Sequence, residues 1–550
     1  MSIGRFALAF LLAGHLVIGQ ITTSQYDNQR TGANLHETIL TPRNVNARSF
    51  GKLFALSVDG DVYAQPLWMP HLSIPGKGEH DVLFVATEGD SVYAFDAAGS
   101  PRTPLWKVNF TNASRRISPV PAQSVGCPFI DPVIGITSTP VIDSQSGTLY
   151  VLVRTAETDD NGTRRFWQRL HALNVLNGEE KFGGPVVIRA SIKNEHGGWF
   201  GLLSTTTDFG ALRENPRAAL TLANGKIYLT WASSCDVGPY HGWILAHDAH
   251  TLRQVGAFNT SPDSSESGIW QSDTGPAVDN SGNLFLSTGN GIFDAASGGR
   301  DYGDTLLKIA TTPAGLTVSD YFTPSEQAEL NSTDGDLGSG GPLLIPEQPR
   351  SSAHLAVVGG KGGTVYVVNR DRMGKFLPGN NHHAVQTIKM GGSIMGAPAY
   401  WNGHLYYFAS NDVLKDFALQ GGRLSSEPVA AGEITIVDPG ATPSISANGA
   451  RDGIVWFLKT KGWQSNDRPA VLFAYDAKDI RREIYDSEQN SGRDRAGIAR
   501  RFVIPVVANG RTYVGTSGEV DVYGLLSPPA SHPLPSARTG RLKSIRPSSR

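Results

Sequence analysis

Residues 284–309 read LFLSTGNGIFDAASGGRDYGDTLLKI, and this stretch shows the pattern from which the fold follows. Two apolar runs, LFLST and TLLKI, flank a glycine-rich loop that contains Asn290, Asp294, Asp301 and Asp304. Such runs on either side of a polar loop predict the two strands of a β-hairpin. Carboxylate and amide oxygens suit a hard cation such as calcium or magnesium, although the same residues also fill ordinary hairpin loops. The stretch therefore predicts a hairpin with a candidate cation site at its end.

This hairpin is one copy of a pattern that recurs from Val62 onward. Each copy has a short run entered through a small or polar residue and proline, a turn, a β-branched or aromatic strand, a hairpin and a further strand. The copies begin near Ala64, Thr139, Ala218, Gly275, Gly341, Ala397, Thr442 and Ile504. Four-stranded units that recur at roughly 40 to 60 residues are typical of propeller blades. The sequence therefore predicts an all-β, eight-bladed propeller of antiparallel four-stranded blades.

The last repeat ends after VDVYGLL at Leu526 and lacks an outer strand. The run GKLFALSV at residues 51–58 has strand character and is predicted to complete that blade, closing the ring. Closure removes the sheet edge that would otherwise invite aggregation. Residues 20–526 are thus predicted to form one propeller domain.

The charge balance excludes some partners. The chain has 48 Lys and Arg residues against 50 Asp and Glu residues, a net charge of -2. No basic tract runs through the repeats, so the sequence argues against nucleic acid and gives no electrostatic reason to bind a membrane surface.

The two termini differ from the repeats. The first twenty residues, MSIGRFALAFLLAGHLVIGQ, place Arg5 ahead of a short apolar run that ends at Ile18. Residues 1–19 are predicted to be a signal peptide, which makes the protein exported, periplasmic or secreted. No later apolar stretch is long enough to cross a bilayer, so the mature chain is expected to lack a transmembrane segment. Residues 527–550, rich in Pro, Ser and basic residues, are predicted to be disordered.

The chain has two cysteines, Cys127 and Cys235. The sequence is compatible with one disulfide or with two unpaired thiols. No Cys-x-x-Cys-His run is present, so no c-type haem is expected.

The repeat also sorts residues by face. In an antiparallel blade, the start of the first strand, the end of the second and the start of the third lie at the same edge. This rule places Asp236, Asn290, Lys361, Asp273 and Asp304 at one mouth of the central channel. The longest insertions at that mouth belong to blades three and four, which predicts that the richest pocket lies there.

With these residues in place, the chain resembles the quinoprotein alcohol dehydrogenase-like propellers, whose enzyme members bind pyrroloquinoline quinone and calcium. STGNG resembles the loop with the family's calcium-binding asparagine, here Asn290, and CDVGPYHGWILAHD resembles the segment with its calcium-binding acid, here Asp236. YGDTLLKI is similar to the segment with the catalytic aspartate, here Asp304. GGKGGTVYVVNRD resembles the stretch whose cation contacts the quinone, here Lys361. The resemblance implies that these residues hold and activate the cofactor.

Further cofactor contacts are expected from Trp270, by stacking, from Asp273, and from Cys127, which lies where the family has adjacent cysteines. Pro128 follows Cys127, so a disulfide between neighbours cannot form. The family also has an arginine against the cofactor's carboxylates, near a position occupied here by Ile134. Trp270 is also consistent with a packing residue at the channel rim.

Two functions remain open at this point. One is a quinone- and calcium-dependent dehydrogenase that oxidises an alcohol or sugar and passes electrons to an external acceptor. The other is a non-catalytic propeller that serves as a scaffold or binds a protein or glycan.

Overall fold

Eight sheets with an antiparallel four-stranded core, together with one separate hairpin, form the fold of this computed structural model, which describes residues 19–195, 205–272, 274–348, 353–460 and 468–526. Each of the eight larger sheets is one blade, so the predicted all-β, eight-bladed propeller is confirmed across these ranges. Most of the predicted signal peptide, the predicted disordered tail and Asp273 lie outside the described residues, and the expectations for them stay predictions.

The blades follow the chain order of the repeats, with first strands that begin two or three residues after the predicted starts. Blade one comprises Leu67–Ile74, Gly78–Thr87, Ser91–Asp96 and Trp106–Asn109, and blade two comprises Val141–Asp143, Thr148–Thr158, Arg164–Asn174 and Val186–Val187. Blade three comprises Thr221–Ala223, Lys226–Thr230, Trp243–Asp248 and Gln254–Asn259, and blade four comprises Ala277–Val278, Leu284–Ser287, Leu306–Thr312 and Gly315–Thr323. Blade five comprises Leu343–Leu344, Leu355–Gly359, Thr364–Asn369 and Gln386–Lys389, and blade six comprises Ala399–Trp401, His404–Tyr407, Lys415–Gln420 and Ala430–Ala431. Blade seven comprises Ser444–Asn448, Arg451–Lys459, Val471–Asp476 and Glu483–Asp486, and blade eight comprises Val506–Ala508, Arg511–Gly515, Ser517–Leu525 and Phe50–Asp61.

Short elements extend or connect the blades. Ile117–Pro121 and Val133–Ile134 join the sheet of blade two, Lys375–Phe376 joins blade four, and Arg423–Leu424 joins blade six. Ser191–Lys193 and Thr206–Asp208 form a separate hairpin. The helical turns are Ala113–Arg115, Ala122–Val125, Ala295–Ser297, Gln327–Ser332, Leu337–Ser339 and Ser491–Asp494. Among the helices of the described ranges, none has the length and apolar character needed to span a membrane.

The core lies between the blades. The middle strands Leu355–Gly359 and Gly78–Thr87 are buried over five and six consecutive residues, because both faces of a blade pack against neighbours. An apolar layer fills each junction; Trp456 of blade seven, for example, packs with Phe50 of blade eight at a ring separation of 5.6 Å. Strands buried on both faces read as continuous apolar runs, which explains why the repeats were visible in the sequence.

The ring closes as the sequence predicts. Phe50–Asp61 pairs antiparallel with Ser517–Leu525, from Phe50 opposite Leu525 to Asp61 opposite Ser517. Phe50–Asp61 therefore completes the last blade. Ser517–Leu525, which would otherwise be the outer edge of that blade, has a partner strand on both sides.

The segment ahead of this strand, residues 19–49, has a role that the sequence pattern did not predict. This lead-in forms hydrogen bonds with the first strand of every blade, and only the centre of the ring is close to all eight. In blade order the pairs are Ile21 with Trp68, Thr22 with Ile142, Asn28 with Leu222, Asn28 with Val278, Gln29 with Leu344, Thr31 with Tyr400, Gly32 with Ile445 and Asn34 with Val507. The lead-in thus fills the channel and ties the blades together.

Arg30 anchors the lead-in between blades three and four. Its guanidinium is 0% exposed and donates to Thr23 Oγ1 at 2.8 Å, Thr221 Oγ1 at 2.7 Å and the Pro276 carbonyl at 3.1 Å. Burial lowers the pKa of Arg30 to about 10, which still leaves the group charged at neutral pH. The hydrogen bonds compensate the cost of burying that charge.

We expect Arg30→Met to destabilise the protein by about 3 kcal/mol or more, because several buried oxygens lose their donor and each unpaired group costs about 1–3 kcal/mol. Urea denaturation followed by circular dichroism measures the change. The matched control is Arg48→Met, at an exposed position of the same lead-in, which should shift stability by less than about 0.5 kcal/mol. Equal midpoints for the two variants would contradict the anchoring role.

Candidate functional site

A cavity of about 150 Å³ opens at one mouth of the channel, above the lead-in. Its lining comes from the connections that enter the first strands and from hairpins of blades three and five. Five lining residues precede a lead-in contact by five positions each: Tyr63 and Trp68, Arg217 and Leu222, Ser339 and Leu344, Met395 and Tyr400, Phe502 and Val507. Five residues span at most about 17 Å. The lead-in therefore lies about five residues of chain below the mouth, and it closes the channel beneath the cavity.

The structure brings four of the predicted site residues to this cavity: Cys127, Asp236, Trp270 and Lys361 all line it. Asn290 and Asp304 lie in the adjoining loop of blade four and are not part of the lining. The rule that sorted residues by strand end had grouped Asp236 with Lys361, and the roles expected of all these residues stay predictions.

Cys127 and Cys235 form a disulfide, which decides between the two alternatives left open by the sequence. Their Cα atoms are 5.6 Å apart and their sequence separation is 108 residues. The bond ties the connection between blades one and two to the hairpin loop of blade three. Two weaker ties hold the same connection: Tyr63 donates to the Phe129 carbonyl at 3.3 Å, and Arg213 donates to the Val125 carbonyl at 3.1 Å. The disulfide is therefore the main covalent constraint on this wall of the cavity.

Asp236 and Trp270 are linked through Tyr240. The Tyr240 hydroxyl donates to Asp236 Oδ1 at 2.6 Å, and its ring meets Trp270 edge-on at a centroid distance of 6.2 Å. Burial, followed by the charge of Asp236, raises the pKa of Tyr240, so the hydroxyl remains a donor. A Cβ at Gly289 would lie 2.1 Å from Asp336 Oδ1 and 2.9 Å from the indole nitrogen of Trp270. These contacts explain the first glycine of STGNG.

Lys361 lies between two carboxylates. Its ammonium is 2.6 Å from Asp336 Oδ2 and 2.7 Å from Asp334 Oδ1. Burial alone would lower the pKa of Lys361, but the negative charges of Asp336 and Asp334 raise it above its usual value. Burial raises the pKa of Asp336, and Lys361 opposes that effect. Lys361 and Asp336 thus form an ion pair on the cavity wall, in which Asp336 is buried and Lys361 is partly exposed.

Asn290 holds the loop that carries Asp336. Its backbone N–H donates to Asp336 Oδ1 at 2.8 Å, and its side-chain oxygen accepts from the Asp336 N–H at 3.0 Å. Its side-chain amide donates to Asp334 Oδ1 at 2.9 Å. Both ends of the amide are therefore used in positioning the acidic loop.

Asp304 is 0% exposed and lies behind this loop. Its carboxylate accepts from the Leu337 N–H at 3.0 Å and from Gln327 at 3.5 Å. Burial raises the pKa of Asp304 to about 8, and the nearby Asp336 acts in the same direction. The side chain is therefore neutral at pH 7 and supports the turn that precedes blade five.

These contacts test whether calcium fits. In the part of the chain that the structure describes, no group of three or more His, Cys, Asp or Glu side chains could hold a metal ion. The amide oxygen of Asn290 is engaged by Asp336, and the ammonium of Lys361 already neutralises the acidic loop. The residues in these positions do not assemble a calcium site.

The rest of the lining is aromatic, apolar and positively charged. The lining includes the aromatic rings of Tyr63, Phe129, Trp270 and Phe502, and Ile134 provides apolar surface where the family has an arginine. The positive charge of the lining comes instead from Arg217 and Arg501, which also line the cavity.

Sequence reasoning missed Arg217, Arg501 and Asp336. All three lie four to seven residues ahead of a first strand, at Thr221, Val506 and Leu343 respectively. The sorting rule by strand start would have found them had it been extended a few residues into each connection.

Comparisons with known proteins identify solved structures with a similar fold. No family model and no curated protein matches the chain. Quinohemoprotein alcohol dehydrogenase ADHIIG from Pseudomonas putida HK5 is similar in structure, with a TM-score of 0.57 and 14% identity over 94% of this chain and 82% of that one. A europium-containing methanol dehydrogenase gives a TM-score of 0.56 and 12% identity over 92% and 98%. BamB from Moraxella catarrhalis gives 0.46 and 9% over 86% and 99%. At such identities the likeness concerns the fold alone: this propeller is structurally similar to those of the two dehydrogenases.

Proposed function

We propose that the cavity binds a planar quinone of the pyrroloquinoline quinone class and that the protein uses it to oxidise a small alcohol or sugar. A single observation carries the proposal: one cavity above the lead-in collects a tryptophan, a disulfide, two arginines and a Lys–Asp ion pair. Flat aromatic walls suit a planar ligand, and a few placed charges supply orientation. The electrons would leave to an external acceptor, in keeping with the absence of a haem motif from the sequence.

Trp270 and the Cys127–Cys235 disulfide would flank the ring system, and Lys361 would face its oxygens. When bound, a quinone accepts two electrons and becomes a quinol, the chemistry that alcohol oxidation requires. The protein's own contribution is to orient the ligand, exclude water from the base of the cavity and remove the alcohol proton.

Asp336 is the residue best suited to accept that proton. Its carboxylate lines the cavity, and although burial raises its pKa, Lys361 at 2.6 Å opposes that shift and favours the ionised form that a base requires. Asp304, which the resemblance nominated, is neutral at pH 7 and hydrogen-bonded away from the cavity. We therefore assign Asp304 to positioning the turn and Asp336 to proton transfer. No step in this scheme needs calcium.

A second candidate, non-catalytic binding of a protein or glycan, is favoured by a different observation. Asn290 and Asp304, expected to serve the reaction, are both saturated by contacts within the loops. Residues occupied in this way serve structure in a binding module as well as in an enzyme. In either case we propose that the protein acts after export, as the N-terminal sequence predicts.

The first test is binding of pyrroloquinoline quinone. We expect micromolar quinone to raise the melting temperature of the protein, because a ligand that binds only the folded state stabilises it. Trp270→Leu should reduce the shift by removing the stacking surface. The control is Trp167→Leu, in the third strand of blade two and outside the cavity, which should retain it.

Turnover is measured with the quinone-loaded protein, a redox dye and a panel of alcohols and sugars. Dye bleaching that depends on both substrate and quinone supports the oxidoreductase, and Asp336→Asn should abolish it while quinone binding persists. A thermal shift without turnover would favour the binding module, and no thermal shift would end the quinone proposal.

A pH series tests the assignment of Asp304. Its pKa is about 8 in the folded protein and near 4 in an unfolded chain. The folded state therefore holds a proton that the unfolded state has lost, so this group's contribution to stability declines as pH rises from about 4 through 8. Asp304→Asn should remove that decline. Urea midpoints at pH 5, 6, 7 and 8 measure the difference in stability between the two proteins. Burial also raises the pKa of Glu88 to about 7, but Glu88 is present in both proteins, so its contribution cancels in the comparison. Parallel profiles would contradict the assignment.

The effect of calcium tests whether this cavity binds the quinone without the metal that the family resemblance implies. We expect a chelator such as EGTA to leave the quinone-induced thermal shift unchanged, because the Lys361 ammonium already neutralises Asp336. Lys361→Met removes that charge and leaves the acidic loop uncompensated, so added calcium should stabilise the variant more than the parent protein. A chelator-sensitive shift in the parent protein would show that a metal is required.

A further inference from the structure

A second cavity lies between the hairpin of blade two and the connection that leaves blade one. Its volume is about 650 Å³, which is within the range of small-molecule sites. Phe110, Arg115 and Ile117 line one side, and alternate residues of the hairpin, including Trp167, line the other. Among the described residues, none lines both this cavity and the one at the channel mouth. We refer to the second cavity as the Trp167 groove.

The groove exists because the hairpin of blade two is longer than a blade requires. Strands Thr148–Thr158 and Arg164–Asn174 have 11 residues each, whereas the third strands of the other blades have 6 to 9. Residues 160–165, around the turn that joins the two long strands, are exposed. The extra length therefore projects from the ring and has no part in closing it.

The two faces of this hairpin have different roles, because side chains alternate across a strand. On one face, the Gln168 side chain donates to the Glu214 carbonyl at 2.6 Å and ties the hairpin to the segment ahead of blade three. On the other face, Trp167 lies opposite Thr155, and both residues line the groove. The first face anchors the hairpin, and the second is available to a ligand.

Trp167 is held among arginines and remains accessible. Its side chain is half-buried, and within the described ranges its indole N–H makes no hydrogen bond. The guanidinium carbons of Arg169 and Arg189 lie 5.6 and 5.8 Å from its ring centroid, near the outer limit of cation–π contact at about 6 Å. The ring is thus positioned by its neighbours while part of its surface stays open.

The groove has more positive charge than its own carboxylates neutralise. Glu157 pairs with Arg169 at 2.6 Å, and Asp159 accepts two N–H groups of its own turn at 2.9 and 3.0 Å. Arg115 and Arg165 are exposed and belong to no ion pair in the part of the chain that the structure describes. Two guanidinium groups of this groove can therefore bind an anion.

The mixture of groups favours one class of anion. Guanidinium groups bind carboxylates through paired N–H donors, and the indole offers apolar surface beside a donor. Glu157 contacts Arg169 and Thr155 through Oε1, so its Oε2 can accept from a hydroxyl group. A saccharide with carboxylates supplies acid groups, hydroxyl groups and the apolar face of a sugar ring. An acidic peptide supplies only the first of these, and Glu157 would repel it.

We propose that the Trp167 groove binds a short saccharide that contains uronic acid residues. A sugar ring packs on Trp167, Arg115 and Arg165 bind its carboxylates, and Glu157 accepts from its hydroxyl groups. The proposal uses no residue of the channel cavity and does not depend on a bound quinone.

Four probes separate charge from the sugar ring. They are trigalacturonate, the neutral trisaccharide maltotriose, tricarballylate, which has three carboxylates and no ring, and a triglutamate peptide. Binding is measured by calorimetry on the intact protein at low and high salt. We expect trigalacturonate to bind about ten-fold more tightly than each of the others, and its affinity should fall as salt rises, because screening weakens contacts with exposed arginines.

Variants test the groove directly. Trp167→Leu should weaken trigalacturonate by about ten-fold or more, because it removes the flat surface and the indole donor. Arg115→Gln and Arg165→Gln should each weaken it by about three-fold or more, and the corresponding lysine variants, which keep the charge but lose the fork, by less. Trp270→Leu, in the channel cavity, and Arg102→Gln, at an exposed arginine outside both cavities, are the matched controls and should bind as the parent protein does. Circular dichroism confirms that each variant is folded.

Salt-sensitive binding of trigalacturonate that is lost in Trp167→Leu and kept in Trp270→Leu would support the proposal. Maltotriose or tricarballylate binding as tightly as trigalacturonate would overturn it, because the arginines or the sugar ring would then contribute nothing. Tighter binding of triglutamate would identify a peptide site instead. No binding at millimolar trigalacturonate, or loss of binding in Trp270→Leu, would also overturn it. Failure of the quinone to bind changes none of these results, so the two proposals fail separately.

Discussion

The hydrogen bonds between the lead-in and the first strand of every blade are the constraint on which the rest of the structure depends. A ring of eight sheets leaves a channel whose inner strands have backbone groups without lateral partners. The lead-in supplies those partners, and Arg30 joins it to blades three and four through side-chain and carbonyl oxygens. The same chain then continues into Phe50–Asp61 and closes the ring. Channel filling and ring closure are therefore achieved by one continuous segment.

Filling the channel from within also shapes the site. Because the lead-in lies one strand segment below the mouth, the space above it becomes a cavity with one entrance rather than a pore. The connections that enter the first strands form its walls, and they bring together side chains that are far apart in sequence, such as Arg217 and Arg501. The Cys127–Cys235 disulfide fixes one wall, and the interlocked Asn290 and Asp336 fix another. A cavity held in this way is largely pre-formed, which lowers the cost of ordering a ligand.

Much of this arrangement was accessible from the pattern of residues. Continuous apolar runs such as LAVVG and VLFAYD predicted middle strands, because each of these strands is covered on both faces. Sorting residues by strand end grouped Asp236 with Lys361, which both line the cavity, since antiparallel pairing fixes which ends meet. It failed to separate Asp304 from Asp336. Both precede strands at the same edge, but only the fold of the turn at Leu337–Ser339 decides which carboxylate faces the cavity and which is buried behind it.

The sequence by itself determined the all-β class, the eight repeats and the closing strand, because these follow from local periodicity and the order of strands. Only the tertiary structure decided that Cys127 and Cys235 are bonded, that the polar lead-in fills the channel, and that Arg217, Arg501, Asp336 and Lys361 line one cavity. Those features join residues from different blades. Their distances are set by how the ring closes, and no spacing along the chain encodes them.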